Sequence, residues 1–486
     1  VFKVWAPTAL EVKVMVKKNH EFISYDMKRV ENGVFSLYLS GDYDNCEYLY
    51  QVRHHDSFTN ALDPYAYSSS ANGRSSIIID LNKCMIDLNR QYLKPLKQKT
   101  DAILYELSVR DFTMYENSPS KHKGKFLGVS EAGLITKHGN NAGLDYLVNL
   151  GITHVQLMPI FDFATVDENQ PHLLYNWGYD PAQYNVPEGS YCSDPNDGYS
   201  RVLECKEMIA RLHRHGLRVI MDVVYNHMYD VNASPFERIV PGYYFRKNMD
   251  GTLSNGSWCG NDLESCNYMV RKYIIDMSRR WQSFYGVDGY RFDLMGIIDI
   301  ETINQVYQIC HSYDKSFMVY GEGWNMPTSL PDDQKAMQFN HYKMPNISFF
   351  NDEFREVIKG GSSDGVLVNK GFITGNLYET ERARNCIMAC NRYTSPDQSI
   401  NYVECHDNAT IFDKLYISNV EEGLNGILER QKNLTIVTLL SQGIPFIHAG
   451  QEFYRTKGGI GNSYNSPDNI NSINWDFRDI YKDDVE

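Results

Sequence analysis

Two carboxylates at the ends of neighbouring strand-like segments are the residues in this chain best placed to do chemistry. The stretch Val287-Asp-Gly-Tyr-Arg-Phe-Asp-Leu-Met-Gly296 reads as a short buried strand that ends on charge. Side chains alternate along a strand, so Arg291 and Asp293 share a face. An arginine beside an aspartate lowers the acid's pKa and keeps it ionised. About 30 residues later, the length of one strand–helix–strand repeat, Phe317-Met-Val-Tyr-Gly-Glu-Gly-Trp324 forms a second strand that ends on Glu322. Neighbouring parallel strands lie roughly 4.8 Å apart. Two acids on one rim of such a pair stand about 5 Å apart, the separation used by a retaining glycosidase.

Other polar groups gather at comparable places. One strand runs into Asp222-Val-Val-Tyr-Asn-His227 and a later one into Glu404-Cys-His-Asp407-Asn408. A single buried acid near a strand end serves as a loop anchor about as often as a catalyst. Four such ends on one rim point to a site.

The elements that must position these groups follow from periodicity. From Val1 to about Thr100 the pattern is all-β: Val12, Val14 and Val16 alternate with Lys13, Met15 and Lys17, and Glu47–Arg53 repeats the alternation. This predicts a small antiparallel sandwich over 1–98. The stretch through Asp63-Pro64, the Ser68-Ser-Ser run and Asn72-Gly73 reads as a polar, turn-rich tail. Beyond it, helical and strand-like segments alternate. Helices are predicted over Asn141–Leu150, Tyr199–His215, Tyr268–Tyr285, Glu301–Ser312 and around Leu428–Ser441. Strands are predicted near Ala102–Val109, Ile152–Met158, Leu217–Tyr225, Val287–Asp293, Phe317–Glu322, Ile347–Phe350, Tyr402–Cys405 and Ile444–Ala449. Eight such units imply an α/β fold, a closed (β/α)8 TIM barrel over 99–486, whose C-terminal strand ends carry the active site.

The 486 residues carry a formal net charge of −14, which argues against nucleic acid or an anionic membrane surface as partner. The ten cysteines lie scattered without a C-x-x-C framework, as expected of free thiols in a reducing compartment. With no visible leader, a cytoplasmic address is expected, and secretion is the alternative.

The four strand ends, Asp222–His227, Gly289–Asp293, Gly321–Trp324 and Val403–Asn408, resemble the signature regions of the α-amylase superfamily of glycoside hydrolases. The heptapeptide Tyr175-Asn-Trp-Gly-Tyr-Asp-Pro181 and the run Asn462-Ser-Tyr-Asn-Ser-Pro-Asp468, followed by Asn474-Trp475, resemble the type I pullulanases. The opening sandwich is similar to the carbohydrate-binding-like module that precedes the barrel in starch-debranching enzymes. The resemblance implies retaining hydrolysis of α-1,6 linkages in pullulan, amylopectin or limit dextrins. An α-1,4-glucan hydrolase or a branching transferase on the same barrel is the alternative. The resemblance makes Asp293 the nucleophile, Glu322 the acid and base, and Asp407 the third acid, which hydrogen-bonds the sugar hydroxyls and favours the distorted ring; a nearby carboxylate raises the pKa of Glu322, and Asp407 is a candidate for that neighbour. His227 and His406 match sugar-binding positions, Tyr179 matches a ring beneath the sugar, and Trp324 matches a leaving-group platform. Asp222 orients Arg291 rather than touching substrate. Asn465 and Asp468 reach the substrate or build a Ser-Pro-Asp turn. Structural readings stand beside the others: His406 as a strand cap, Tyr179 against Pro181, Trp324 as a wall. The resemblance also implies a β-domain after the barrel, absent before Glu486.

The implied partner is an α-glucan, and the chemistry requires no cofactor. Asn226 matches a position near structural calcium in many α-amylases, but the stretch after His227 gives no obvious cage of six oxygens. His213 and His215 share a helix end with no carboxylate or cysteine in phase, so zinc is not expected. Asp262 and Glu264 read as solvated loop charges. Lys457-Gly-Gly has its lysine on the wrong side of the glycines for a phosphate cradle.

Overall fold

The computed structural model describes residues 1–390 and 392–486. The first residues form two antiparallel sheets. One holds β1 (Phe2–Trp5), β4 (Lys28–Arg29) and β5 (Val34–Leu37). The other holds β2 (Glu11–Lys18), β3 (Glu21–Asp26), β6 (Glu47–Arg53), β7 (Phe58–Ala61), β8 (Ser68–Ser69) and β9 (Ser76–Ile77). The alternation is realised as read: Val12, Val14 and Val16 are buried and pair with Val52, Tyr50 and Tyr48 across the ladder. The expected polar tail is a correction. Ser68 and Ser69 are buried in β8, and the Ser68 hydroxyl donates to the Gly198 carbonyl at 2.7 Å. A buried hydroxyl is tolerated once it is hydrogen-bonded, so polar composition hid a short strand.

The barrel closes as predicted, in the order β10 (Leu104–Leu107), β11 (His154–Leu157), β14 (Arg218–Val223), β15 (Gly289–Phe292), β16 (Met318–Gly321), β17 (Ser348–Phe350), β18 (Ser399–Asn401) and β19 (Ile444–His448). A hairpin of β12 (Phe161–Phe163) and β13 (Pro181–Pro187) leaves the barrel after β11. Leu104, Ile220, Met318, Tyr320, Phe350, Ile400 and Phe446 fill the interior. Outer helices include Gly143–Leu150, Ser200–Arg214, Tyr268–Arg280, Ile300–Tyr313 and Gly423–Leu440. Residues Trp281–Tyr285 make a π-turn rather than α-helix, stopped by Gly286 at φ 98°.

The seventh strand is displaced from its predicted place. It ends at Asn401, opposite Pro445, which has no N–H to extend a ladder. Glu404–Asn408 therefore lie in the loop that follows, and Cys405 is half-buried there rather than inside a strand.

At the N-terminal end of the barrel, Asp288 partners His213 and Arg90. His213 Nε2 lies 2.7 Å from Asp288 Oδ2, and Arg90 Nη1 lies 2.8 Å from Oδ1. His213 thus has a carboxylate partner after all, supplied by another element. Burial opposes the charge on Asp288, but His213 and Arg90 outweigh it and hold its pKa low.

The sandwich and barrel meet along a polar seam. Tyr65 donates to Asp276 at 2.9 Å, and Arg280 to the Tyr65 carbonyl at 2.9 Å. The Asn72 backbone N–H donates to Glu168 at 2.9 Å, and buried Arg201 holds that glutamate at 2.7 Å. Among the described residues no helix is long and apolar enough to cross a membrane.

Candidate active site

The register between β15 and β16 aligns Phe292 with Gly321, so the next residues, Asp293 and Glu322, leave the barrel side by side. Gly321 allows this approach, since a Cβ there would come within 2.5 Å of the Phe292 carbonyl oxygen. Arg291 then ties three acids together. Its Nη1 lies 2.8 Å from Asp293 Oδ1 and 3.0 Å from Asp222 Oδ1, and its Nη2 lies 2.9 Å from Glu322 Oε1. One guanidinium thus holds both carboxyls, and adjacent parallel strands lie roughly 4.8 Å apart, close to the spacing a retaining pair uses. The second oxygens are held too. Asn226 Nδ2 donates to Asp293 Oδ2 at 2.9 Å, and the Leu294 N–H donates to Glu322 Oε2 at 3.0 Å. Leu294 adopts φ 40°, a left-handed backbone that a branched residue accepts only when its surroundings impose it.

Burial is the largest influence on Glu322 and lifts its pKa to about 7. Arg291 opposes the rise, while Asp293 and then Asp407 add to it. Asp407, the candidate neighbour read from sequence, is thus one of two carboxylates that raise it, after Asp293. Burial likewise raises Asp222 to about 8 against the pull of Arg291. Asp222 is fully buried beneath the arginine and accepts the Tyr179 hydroxyl at 2.7 Å, the place of an orienting group.

Loop Glu404–Asn408 brings two more predicted residues to the same mouth. Asp407 is the most open of the acids, with its side chain 45% exposed. His406 is boxed in: Tyr179 stacks on it at 5.0 Å, Trp177 meets it edge-on at 4.9 Å, and Glu106 of β10 lies 2.8 Å from Nδ1. Trp324 is half-buried and lines a cleft of about 440 Å³ with Glu322, Asp407, Asn325 and Phe339. His227 Nδ1 meets Asn226 Oδ1, and its buried Nε2 has no hydrogen-bond partner among the described residues. Asn226, matched in sequence to a calcium position, spends its amide on Asp293 and His227.

The 462–468 run is beside the heptapeptide, since the Trp177 N–H donates to the Tyr464 carbonyl at 3.0 Å. Asn465 is exposed there. Both Asp468 oxygens are gripped by Arg110, at 2.7 and 2.9 Å, so this carboxylate anchors the turn.

Asp262 corrects the reading of a solvated charge. It is buried and accepts from Ser254 Oγ at 2.6 Å, Gly256 N at 2.8 Å and Ser257 N at 2.9 Å, while Glu264 pairs with Arg246 at 3.3 Å. It pins a loop that carries Trp258, 71% exposed at φ 60°, and Asn261, whose side chain holds both backbone groups of Met228 next to His227. The one group of acids among the described residues spaced to hold a cation is Asp162, Glu168 and Glu188. Arg201 already pairs with Glu168, and the N–H groups of Phe163 and Ser190 hold Glu188.

Residues 1–66 match the family model "Carbohydrate-binding module 48 (Isoamylase N-terminal domain)", and residues 130–247 match "Alpha amylase, catalytic domain". The chain is 42% identical to the pullulanase of Bacillus subtilis (strain 168) over all of its own length and 68% of the relative's. This chain belongs to the pullulanase family. It is 32% identical to the chloroplastic pullulanase 1 of Arabidopsis thaliana over 98% of its length, and spans 59% of that relative. The crystal structure of pullulanase from Anoxybacillus sp. LM18-11 complexed with maltotriose superposes with a TM-score of 0.97 at 44% identity, covering 100% of this chain and 69% of that one. The pullulanase from Paenibacillus barengoltzii in complex with maltohexaose and α-cyclodextrin gives 0.96 at 42%, covering 100% and 77%.

Within this pullulanase-family chain, sequence reasoning missed Glu106, Asn226 as a partner of Asp293, and Arg110. Glu106 carried a visible signal, a lone acid inside the apolar first strand. Asn226 and Arg110 gave none, because their partners are set by the tertiary fold.

Proposed function

We propose that this chain hydrolyses α-1,6-glucosidic linkages of pullulan, amylopectin or limit dextrins with retention at the anomeric carbon. The observation that carries the chemistry is one arginine bridging Asp293 and Glu322 at 2.8 and 2.9 Å on adjacent strand ends. Family membership and the Trp177–Tyr179 box around His406 support the linkage. Asp293 attacks the anomeric carbon, and the bond to the leaving oxygen breaks as Glu322 delivers its proton there. Glu322, now a carboxylate, takes a proton from water, which attacks the same carbon and releases Asp293. In this reading Asp407, His406 and His227 bind sugar hydroxyls, Tyr179 lies beneath the ring, and Trp324 stacks on the departing side. Two carboxyls and water supply every group the displacement uses, so no cofactor is required. Buried thiols such as Cys84, Cys205 and Cys310 support a cytoplasmic address.

A pullulan digest tests activity and linkage together. Maltotriose is the expected main product. Panose or isopanose, or degradation of amylose with pullulan intact, would overturn the linkage.

A further inference from the structure

Glu106 has no part in the displacement, yet it is almost fully buried and spends both oxygens on one residue of the site. Its Oε1 lies 2.8 Å from His406 Nδ1, and its Oε2 accepts the His406 backbone N–H at 2.8 Å. A carboxylate only accepts, so Nδ1 carries a proton. The glutamate is itself fixed from two further strands: Gln156 donates to Oε1 at 3.1 Å, and Tyr320 donates to Gln156. With Tyr179 stacked on the ring, Trp177 meeting it edge-on and Nδ1 held by Glu106, the ring nitrogen left to meet the cleft is Nε2, which lies 3.7 Å from Asp407.

We propose that Glu106 is a positioning residue that fixes the ring and tautomer of His406 and holds it as an imidazolium, with Nε2–H presented to Asp407 and to the glucan. Three observations converge on this. The bond pattern demands a proton on Nδ1, and the Asp407 carboxylate opposite Nε2 favours a donor there. Burial alone would strip the charge from the ring, but Glu106 and then Asp407 reverse this and carry its pKa to about 9. The remaining charges around the ring are Arg291, which opposes protonation, Lys457, whose Nζ lies 3.0 Å from the His406 carbonyl, and the neighbouring Asp222 and His448. The excess of carboxylate nearest the ring decides the balance. A neutral imidazole would offer Nε2 as an acceptor and face Asp407 lone pair to lone pair.

What the Nε2 proton meets rests on the glucan-hydrolase reading, but the state of the ring does not. The imidazole nitrogens of His406, assigned by loss of signal in His406→Gln, are followed by NMR in the free chain as pH rises. Both nitrogens are expected to stay protonated at pH 8, and in Glu106→Gln the midpoint is expected to fall by at least about one pH unit. A ring neutral at pH 8 in the unaltered chain, or a midpoint unmoved in Glu106→Gln, overturns the proposal. If Glu106→Gln does not fold, the unaltered chain and Glu106→Asp are read in the same way. On pullulan, Glu106→Gln is expected to lower kcat/KM about tenfold while the Glu322 limb stays in place. Absence of turnover in the unaltered chain would count against the glucan reading and leave the titration result standing.

Discussion

In the proposed displacement Glu322 must be protonated to begin the reaction and ionised to finish it. A carboxyl buried beside Asp293 with a pKa near 7 stands at the midpoint of that cycle. The raised value extends the protonated form upward in pH, so kcat/KM is expected to fall as pH climbs through about 7, and initial rates on pullulan across pH 5–9 check it. The same shift links to stability. A carboxyl whose folded pKa exceeds its unfolded one contributes stability that is present below about 4.5 and lost as pH rises through 7. Glu322→Gln should therefore abolish turnover and gain more thermal stability at pH 8 than at pH 5 in paired melts. Asp293→Asn removes the proposed nucleophile but keeps the Arg291 contact, so kcat should fall by about 10³-fold or more while calorimetry still detects glucan binding. A mutant with near-normal rate would remove Asp293 from the mechanism.

The placement of these acids depends on strand register, and register was legible in sequence where periodicity was strong. The apolar run before Asp222 and the alternation across Arg291 and Asp293 gave strands, order and rim. The seventh strand was misplaced because Tyr402–Cys405 has the composition of a strand, while the ladder is ended by a proline in a partner far away in sequence. The buried serines of β8 and the buried Asp262 were misread for a common reason. Polarity predicts exposure only when no donor or acceptor is folded against the group, and sequence does not list those partners. Gly321 carries a sharper consequence. Since a Cβ would come within 2.5 Å of the Phe292 carbonyl, Gly321→Ala should push β16 from β15 and misplace Glu322 relative to Asp293. A displacement near 1 Å costs about 10²-fold in rate. The expected outcome is a large loss of kcat with an unchanged far-ultraviolet circular dichroism spectrum; full activity would show that the strands absorb the methyl group.

At the scale of the molecule, the sandwich and barrel share hydrogen bonds along their seam, one of them to a glutamate that Arg201 holds in a buried ion pair. The Asn72–Glu168–Arg201 contact is the most sheltered of them, with both charged side chains essentially inaccessible. Unfolding by scanning calorimetry is expected to give one endotherm rather than separate sandwich and barrel peaks. Arg201→Met leaves Glu168 charged and unpaired in the interior, a change that costs about 3–5 kcal/mol, so the endotherm should move down by several degrees. Adding Glu168→Gln should restore part of the loss; no recovery would mean that Arg201 acts through packing alone. The loop pinned by Asp262 has a different kind of consequence. Trp177, Trp281 and Trp475 are buried, whereas Trp258 faces water beside the exposed Cys259. The chain thus carries a water-facing fluorophore on the loop that braces Met228 beside His227: iodide would darken that indole more readily than the buried ones, and a glucan chain seated against the loop would shelter it from the quencher, so occupancy can be followed by light without any label.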